Sequence, residues 1–217
     1  MLETVADIAF WSIPILLAVV FHEVAHGWVA YRLGDPTAAL RGRLTLNPLK
    51  HVDPIGTIVV PLLLVLTKAG FIFGWARPVP VNYANLRNPR RDMMLVAAAG
   101  PATNLVMAAI AAVVVQAIMM TAPDGKLTEA NPIPFGIALI GYYTVTTNVF
   151  LALFNMLPIP PLDGGRVMTG LLPPSLAQGF ARIEPFGFIL LLVLMSTDSL
   201  GWIVEAPARA ILGLLLG

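Results

Sequence analysis

Cysteine is absent from the 217 residues of the chain. That excludes a disulfide framework, a thiolate metal site and a cysteine nucleophile, so any metal must be held by nitrogen and oxygen. Charge is scarce too: Asp, Glu, Lys and Arg make up 12% of the residues, and histidine occurs three times. Soluble domains carry about twice that charged fraction. With 58% hydrophobic residues and a mean hydropathy of +0.83, the composition excludes an ordinary water-soluble domain and makes the lipid bilayer the expected partner. No nucleic-acid partner is expected. The opening residues Met1, Leu2, Glu3 and Asp7 lack a basic n-region, so a cleaved signal peptide is not expected. The sequence has no internal repeat and no low-complexity linker, which leaves one membrane-embedded domain over 1–217.

What is present is a series of apolar segments. The first runs from about Ile8 to Tyr31, with Pro14 near its start and Arg32, Gly34, Asp35 and Pro36 closing it. Further spans are expected from Met93 to Pro123, Phe135 to Leu157, Ile183 to Thr197 and Leu200 to Gly217. Several approach or exceed the roughly 20 residues that a helix needs to cross a bilayer, and the one from Ile183 is a short span. Pro54 to Gly70 is apolar but short and interrupted by Pro61, so a re-entrant segment is expected there. Leu40 to Leu46 and Arg77 to Asn82 alternate like strands. The expected fold is thus an all-α polytopic membrane protein, with about five transmembrane helices, a re-entrant segment and a small membrane-surface β region.

Basic residues set the expected orientation. If the first span ends in the cytoplasm and Pro54 to Gly70 returns to the side it left, Arg32, Arg41, Arg43, Lys50, Arg77, Arg87, Arg90, Arg91, Arg166 and Arg182 all fall in cytoplasmic loops. The opposite loop, Asp124 to Asn131, holds only Lys126. An integral plasma-membrane protein with its active centre toward the cytoplasm follows as the expectation.

The first span contains HEVAH, His22 to His26. Histidines four apart project from one helical face, so two imidazoles can bind one tetrahedral metal while Glu23 beside them takes a proton from water. Two histidines and a carboxylate in an apolar span cost several kcal/mol unless they are paired or bind something. A catalytic zinc needs a third protein ligand. Asp163 is a better candidate than His51, because it follows a proline-broken helix and precedes two glycines that let the chain turn toward another span. A turn residue ahead of Gly-Gly is an equally ordinary role for it. His51 reads as a surface histidine near the end of a strand-like loop. In the Met93 segment, Gly100, Asn104, Ala108 and Ala112 share one helical face, a pattern that lets helices approach closely.

HEVAH in a transmembrane segment, followed by GPATN and then NMLPIPPLDGGR, resembles the site-2 protease family of intramembrane zinc metalloproteases, peptidase family M50. The likeness extends from the first span through Arg166, and is to the short members without a PDZ or CBS domain. It implies one Zn2+ per chain, with His22, His26 and Asp163 as its ligands and Glu23 as the catalytic acid and base. It further implies that Asn155 faces the reacting carbonyl and that Asn104 faces the same centre. The substrates implied are transmembrane proteins, cut within or near their membrane segments. A membrane carrier that uses the same His and Asp cluster for a moving metal ion is the competing expectation.

Overall fold

The computed structural model describes residues 2–68, 74–122, 132–196 and 199–217. Helix α1 covers Leu2–Arg32. Gly34 ends it at a φ of 116°, a conformation open to glycine because it lacks a Cβ. The Gly34 N–H donates to Tyr31 O at 3.2 Å and the Asp35 N–H to Ala30 O at 2.9 Å, the paired bonds of a Schellman cap. After it come the short helix α2 (Thr37–Leu40), a π-helical turn at Pro54–Val59, and α3 (Val60–Leu66). The long helices α4 (Pro89–Thr121) and α5 (Pro132–Asn155) follow, then α6 (Asp163–Leu171), α7 (Pro174–Ala181), α8 (Glu184–Ser196) and α9 (Ser199–Leu216).

The frame that positions the site is the packing of α4 against both α1 and α5. Gly100, Asn104, Ala108 and Ala112 are all buried on one face of α4. Ala108 and Ala112 form an apolar cluster with Val145 and Val149 of α5 and Ala208 of α9. Small side chains there let the helix axes come close, which is how helices associate in lipid, where apolar burial adds little. The outward faces carry exposed large hydrophobics such as Ile110, Val113 and Phe150, as a lipid-facing surface requires.

Two expectations need correction. Among the described residues three helices are long and apolar enough to cross a membrane, within Trp11–Arg32, Pro89–Thr121 and Pro132–Asn155. A fourth span arises only if α7 and the Glu184–Leu194 part of α8, bent by 47°, count as one. The figure of about five was therefore too high. Helix α8 alone has 13 residues, about 20 Å at 1.5 Å per residue against a core of about 30 Å. Helix α9 carries Pro207 and an exposed Glu205–Arg209 ion pair of 3.0 Å.

The second correction is that no strand occurs among the described residues. Pro78 and Pro80 have no N–H to give a ladder. Three of the four remaining donors of 77–82 go elsewhere: Arg77 N to His51 O at 2.8 Å, Val79 N to Glu23 Oε2 at 2.6 Å, and Asn82 N to Asp35 Oδ2 at 2.7 Å. Arg43 Nη2 binds the carbonyls of Arg77 and Pro78 at 2.7 and 3.3 Å. Side chains thus tie the two pieces together where a β-ladder was expected. His51, read as a surface residue, is 1% exposed and donates from Nε2 to Thr45 O at 2.9 Å.

The apolar helix Pro54–Leu66 is too short to cross alone. After 69–73, the chain is again beside its start, with the Trp75 N–H on Gly56 O at 3.1 Å and Thr57 Oγ1 donating to Trp75 O at 2.9 Å. Gly70, where the re-entrant expectation ended, and the loop with Lys126 lie outside the described residues.

Candidate metal centre and active site

His22 and His26 project from one face of α1 and are 5% and 8% exposed. His26 Nδ1 lies 2.7 Å from Val96 O, and because a carbonyl only accepts, that nitrogen carries the proton. His22 Nδ1 lies 2.6 Å from Asn104 Oδ1. The Asn104 amide is oriented by its other end, where Nδ2 donates to Ala18 O at 3.2 Å and to Asn148 Oδ1 at 2.7 Å. Its oxygen therefore faces His22, which is also protonated at Nδ1. The two Nε2 atoms face each other 2.9 Å apart.

Asp163 completes the group. Pro158, Pro160 and Pro161 prevent α5 from continuing, and α6 begins at Asp163 itself. A Cβ on Gly164 would strike Met156 O, and one on Gly165 would lie 2.5 Å from Pro160 N. Only glycines allow α6 to fold back here and turn Asp163 toward α1. Its Oδ2 lies 3.1 Å from His22 Nε2 and 3.2 Å from His26 Nε2. That oxygen is buried with no hydrogen-bond partner among the described residues.

Two ring nitrogens and a carboxylate oxygen thus converge on one point, where a shared cation holds them together. Ligand atoms of a tetrahedral zinc with bonds of about 2.0–2.1 Å stand about 3.3 Å apart. The triangle of 2.9, 3.1 and 3.2 Å fits such an ion, as does the hydrogen bond from each ring's second nitrogen to an oxygen. No other group of three or more His, Asp or Glu able to hold a metal occurs among the described residues.

Helix α4 closes on the centre through Gly100, where an added Cβ would lie 2.5 Å from His26 Nε2 and 2.6 Å from His22 Nε2. In front of His22, His26 and Asp163 is a cavity of about 490 Å³, whose walls include Glu23, Trp75, Val79, Phe154, Asn155 and Arg166. The Glu23 carboxylate is beside the histidines and accepts the Val79 N–H at Oε2. Asn155 reaches the cavity wall, with its Nδ2 donating to Leu151 O at 2.9 Å. Tyr83 lines the same cavity; burial pushes its phenol above the ordinary value, so it stays neutral. Asn104 is behind His22 rather than on the cavity wall, and His51 belongs to the cover.

The sequence model of peptidase family M50 matches residues 10–194. The chain belongs to peptidase family M50. A Bacillus subtilis protein with the provisional name zinc metalloprotease YwhC is 43% identical over 187 residues, covering 85% of this chain and 79% of its own. Proteins provisionally named zinc metalloprotease Rip2 are 32% identical in Mycolicibacterium smegmatis, over 88% of this chain and 68% of theirs, and 30% identical in Mycobacterium tuberculosis, over 92% and 74%. No solved structure matches. Family membership makes this M50 chain a membrane zinc metalloprotease, and nothing in these likenesses supports an ion carrier.

Two features of the site escaped sequence reasoning. Asn148, which orients Asn104, is fully buried in α5. An asparagine in the middle of an apolar span was the available signal. The segment 77–82, which covers the site, was misread as sheet, although Pro78 and Pro80 argued otherwise.

Proposed function

We propose that the enzyme hydrolyses peptide bonds within or near the membrane segments of other membrane proteins, with zinc on His22, His26 and Asp163. The observation that carries this reading is the convergence of the two Nε2 atoms and Asp163 Oδ2 beside Glu23. His26 is about 9 Å of helix from the end of α1, and Gly100 about 16 Å from the start of α4, at 1.5 Å per residue. Both depths are comparable with that of a bilayer leaflet, about 15 Å.

Bound zinc supplies a water with a pKa near about 7 and a polarised carbonyl. Glu23 then takes the proton of the attacking water at its carboxylate and returns it to the leaving amine. The Val79 N–H fixes Oε2, which leaves Oε1 to carry that proton. Asn155, on the cavity wall, offers an amide toward the carbonyl oxygen as charge develops; one such donor is typically worth about 3 kcal/mol. Asn104 acts through His22 and holds its ring. A substrate has to reach the cavity locally unwound, because helical carbonyls are already hydrogen-bonded. We place the enzyme in the plasma membrane, and the Arg and Lys distribution supports an orientation with this centre toward the cytoplasm.

The test is to incubate the purified enzyme in detergent with a single-span membrane protein, with and without a zinc chelator. Cleavage inside or beside the span that stops on chelation and returns with zinc is expected. Cleavage confined to soluble substrates contradicts the substrate class.

A further inference from the structure

The Asn104 amide has a neighbour that fixes its polarity, and the hydrogen bonds between them run in one direction. Asn148 Nδ2 donates to Thr144 O at 2.8 Å, and that carbonyl accepts only. Asn148 Oδ1 must then face Asn104, whose Nδ2 donates to it at 2.7 Å. Asn104 Oδ1 in turn faces His22 Nδ1 at 2.6 Å. Both asparagines are 0% exposed, so water does not offer them alternative partners. We propose that Asn148 is a positioning residue: through Asn104 it locks His22 with its proton on Nδ1 and its Nε2 lone pair toward the metal. This rests on the zinc assignment made above, and it adds to the site a residue of α5 that touches neither metal nor substrate.

With Asn148 replaced by an apolar side chain, one Asn104 N–H keeps only Ala18 O at 3.2 Å as its partner, and the other is buried unpaired. An unpaired buried donor is costly enough to favour other amide orientations. Turned over, Asn104 would present its NH2 to His22, which could then answer only with an unprotonated Nδ1. The proton would move to Nε2, the atom that must bind zinc. The ligand and its second nitrogen thus compete for one proton, and Asn148, the nearer of the two acceptors that orient Asn104, biases the outcome from about two hydrogen bonds away against a flip that would set Oδ1 toward Ala18 O.

Two readouts test this. The chain has three histidines, so 15N-histidine labelling gives a spectrum of three rings that His22→Gln assigns. In metal-free wild type at mildly alkaline pH, His22 is expected as the Nδ1–H form; in Asn148→Leu a substantial Nε2–H population is expected. The second readout is zinc release to excess chelator. Loss of a direct partner of a metal-bound histidine typically weakens binding about 10–100-fold; Asn104→Leu should fall in that range and Asn148→Leu, one bond further, should release zinc about 3–10-fold faster than wild type. Because Asn148 acts through Asn104, the double variant should release zinc no faster than Asn104→Leu alone. A His22 ring that stays on Nδ1 in Asn148→Leu, unchanged release, or additive effects would overturn the proposal. A merely structural role lowers thermal stability without moving the tautomer. If Asn148→Leu does not fold, Asn148→Ala carries the same two measurements. If wild type binds no zinc, the zinc assignment fails, while the spectrum of the metal-free protein still decides the relay.

Discussion

Gly100→Ala is a one-carbon change at a helix position where alanine is otherwise the better residue, by about 1 kcal/mol. Propensity alone therefore predicts a stabilised protein. The geometry predicts the opposite for the metal. The new Cβ would lie 2.5 Å from His26 Nε2 and 2.6 Å from His22 Nε2, about 1 Å inside the 3.5–4.0 Å separation at which nonbonded heavy atoms are attracted. Both imidazoles are held from behind, by Val96 O and by Asn104, so neither can retreat without losing a buried hydrogen bond. Overpacking of this kind costs about 1–3 kcal/mol. Metal sites tolerate ligand displacements of only about 0.2 Å, so a shift approaching 1 Å should reduce zinc binding by at least about 100-fold. The assay is zinc per chain after dialysis against a buffered zinc concentration, alongside helicity by circular dichroism. Normal helicity with little zinc is expected. Full zinc occupancy and full proteolysis in Gly100→Ala would refute the reasoning.

Glu23→Gln is nearly isosteric yet cannot take a proton, so it should keep zinc and lose cleavage by about 100-fold or more; wild-type cleavage would show that the base is another group. Asp35 joins the end of α1 to the cover by accepting from Asn82 N, Asn85 Nδ2 and Thr37. Burial works to raise its carboxyl, but these hydrogen bonds prevail and hold it below the ordinary value. A carboxyl depressed in the folded state contributes stability that is present above about pH 4, its unfolded value, and is lost as pH falls through the folded one. Asp35→Asn should lower stability by about 1.5–3 kcal/mol at neutral pH and flatten the acid side of the melting curve; equal acid slopes would count against this role. For orientation, single cysteines at Asn88 and Thr121, at opposite ends of α4, can be placed on a background free of native thiols. An impermeant reagent applied to intact cells should label only Thr121→Cys, and labelling of Asn88→Cys alone would reverse the topology.

The long spans were legible because each carries about 20 apolar residues, and so was HEVAH, because helical spacing alone puts both imidazoles on one face. The placement of Asp163 was readable in kind, through Pro158, Pro160, Pro161 and the two glycines, but its distance to the histidines depends on α6 packing against α4. Sheet was misread in 77–82 because alternation is a local pattern, whereas the partners of those N–H groups, Glu23 and Asp35, are 56 and 47 residues away. His51 was misplaced for the same reason: a lone polar residue in a loop gives no sign that the returning chain at Arg77 will bury it. The end of the chain was overcounted because α8 is only 13 residues long and the 18 residues of α9 include Pro207 and the Glu205–Arg209 ion pair.

The central claim is that one zinc is held by His22, His26 and Asp163 and is required for peptide hydrolysis. The most direct measurement is zinc per chain, determined on the same purified samples as cleavage, for wild type, His22→Ala and Asp163→Ala. One zinc per wild-type chain, with little in either variant and cleavage lost in proportion, is the predicted result. An Asp163→Ala protein that keeps both its zinc and its cleavage would contradict it.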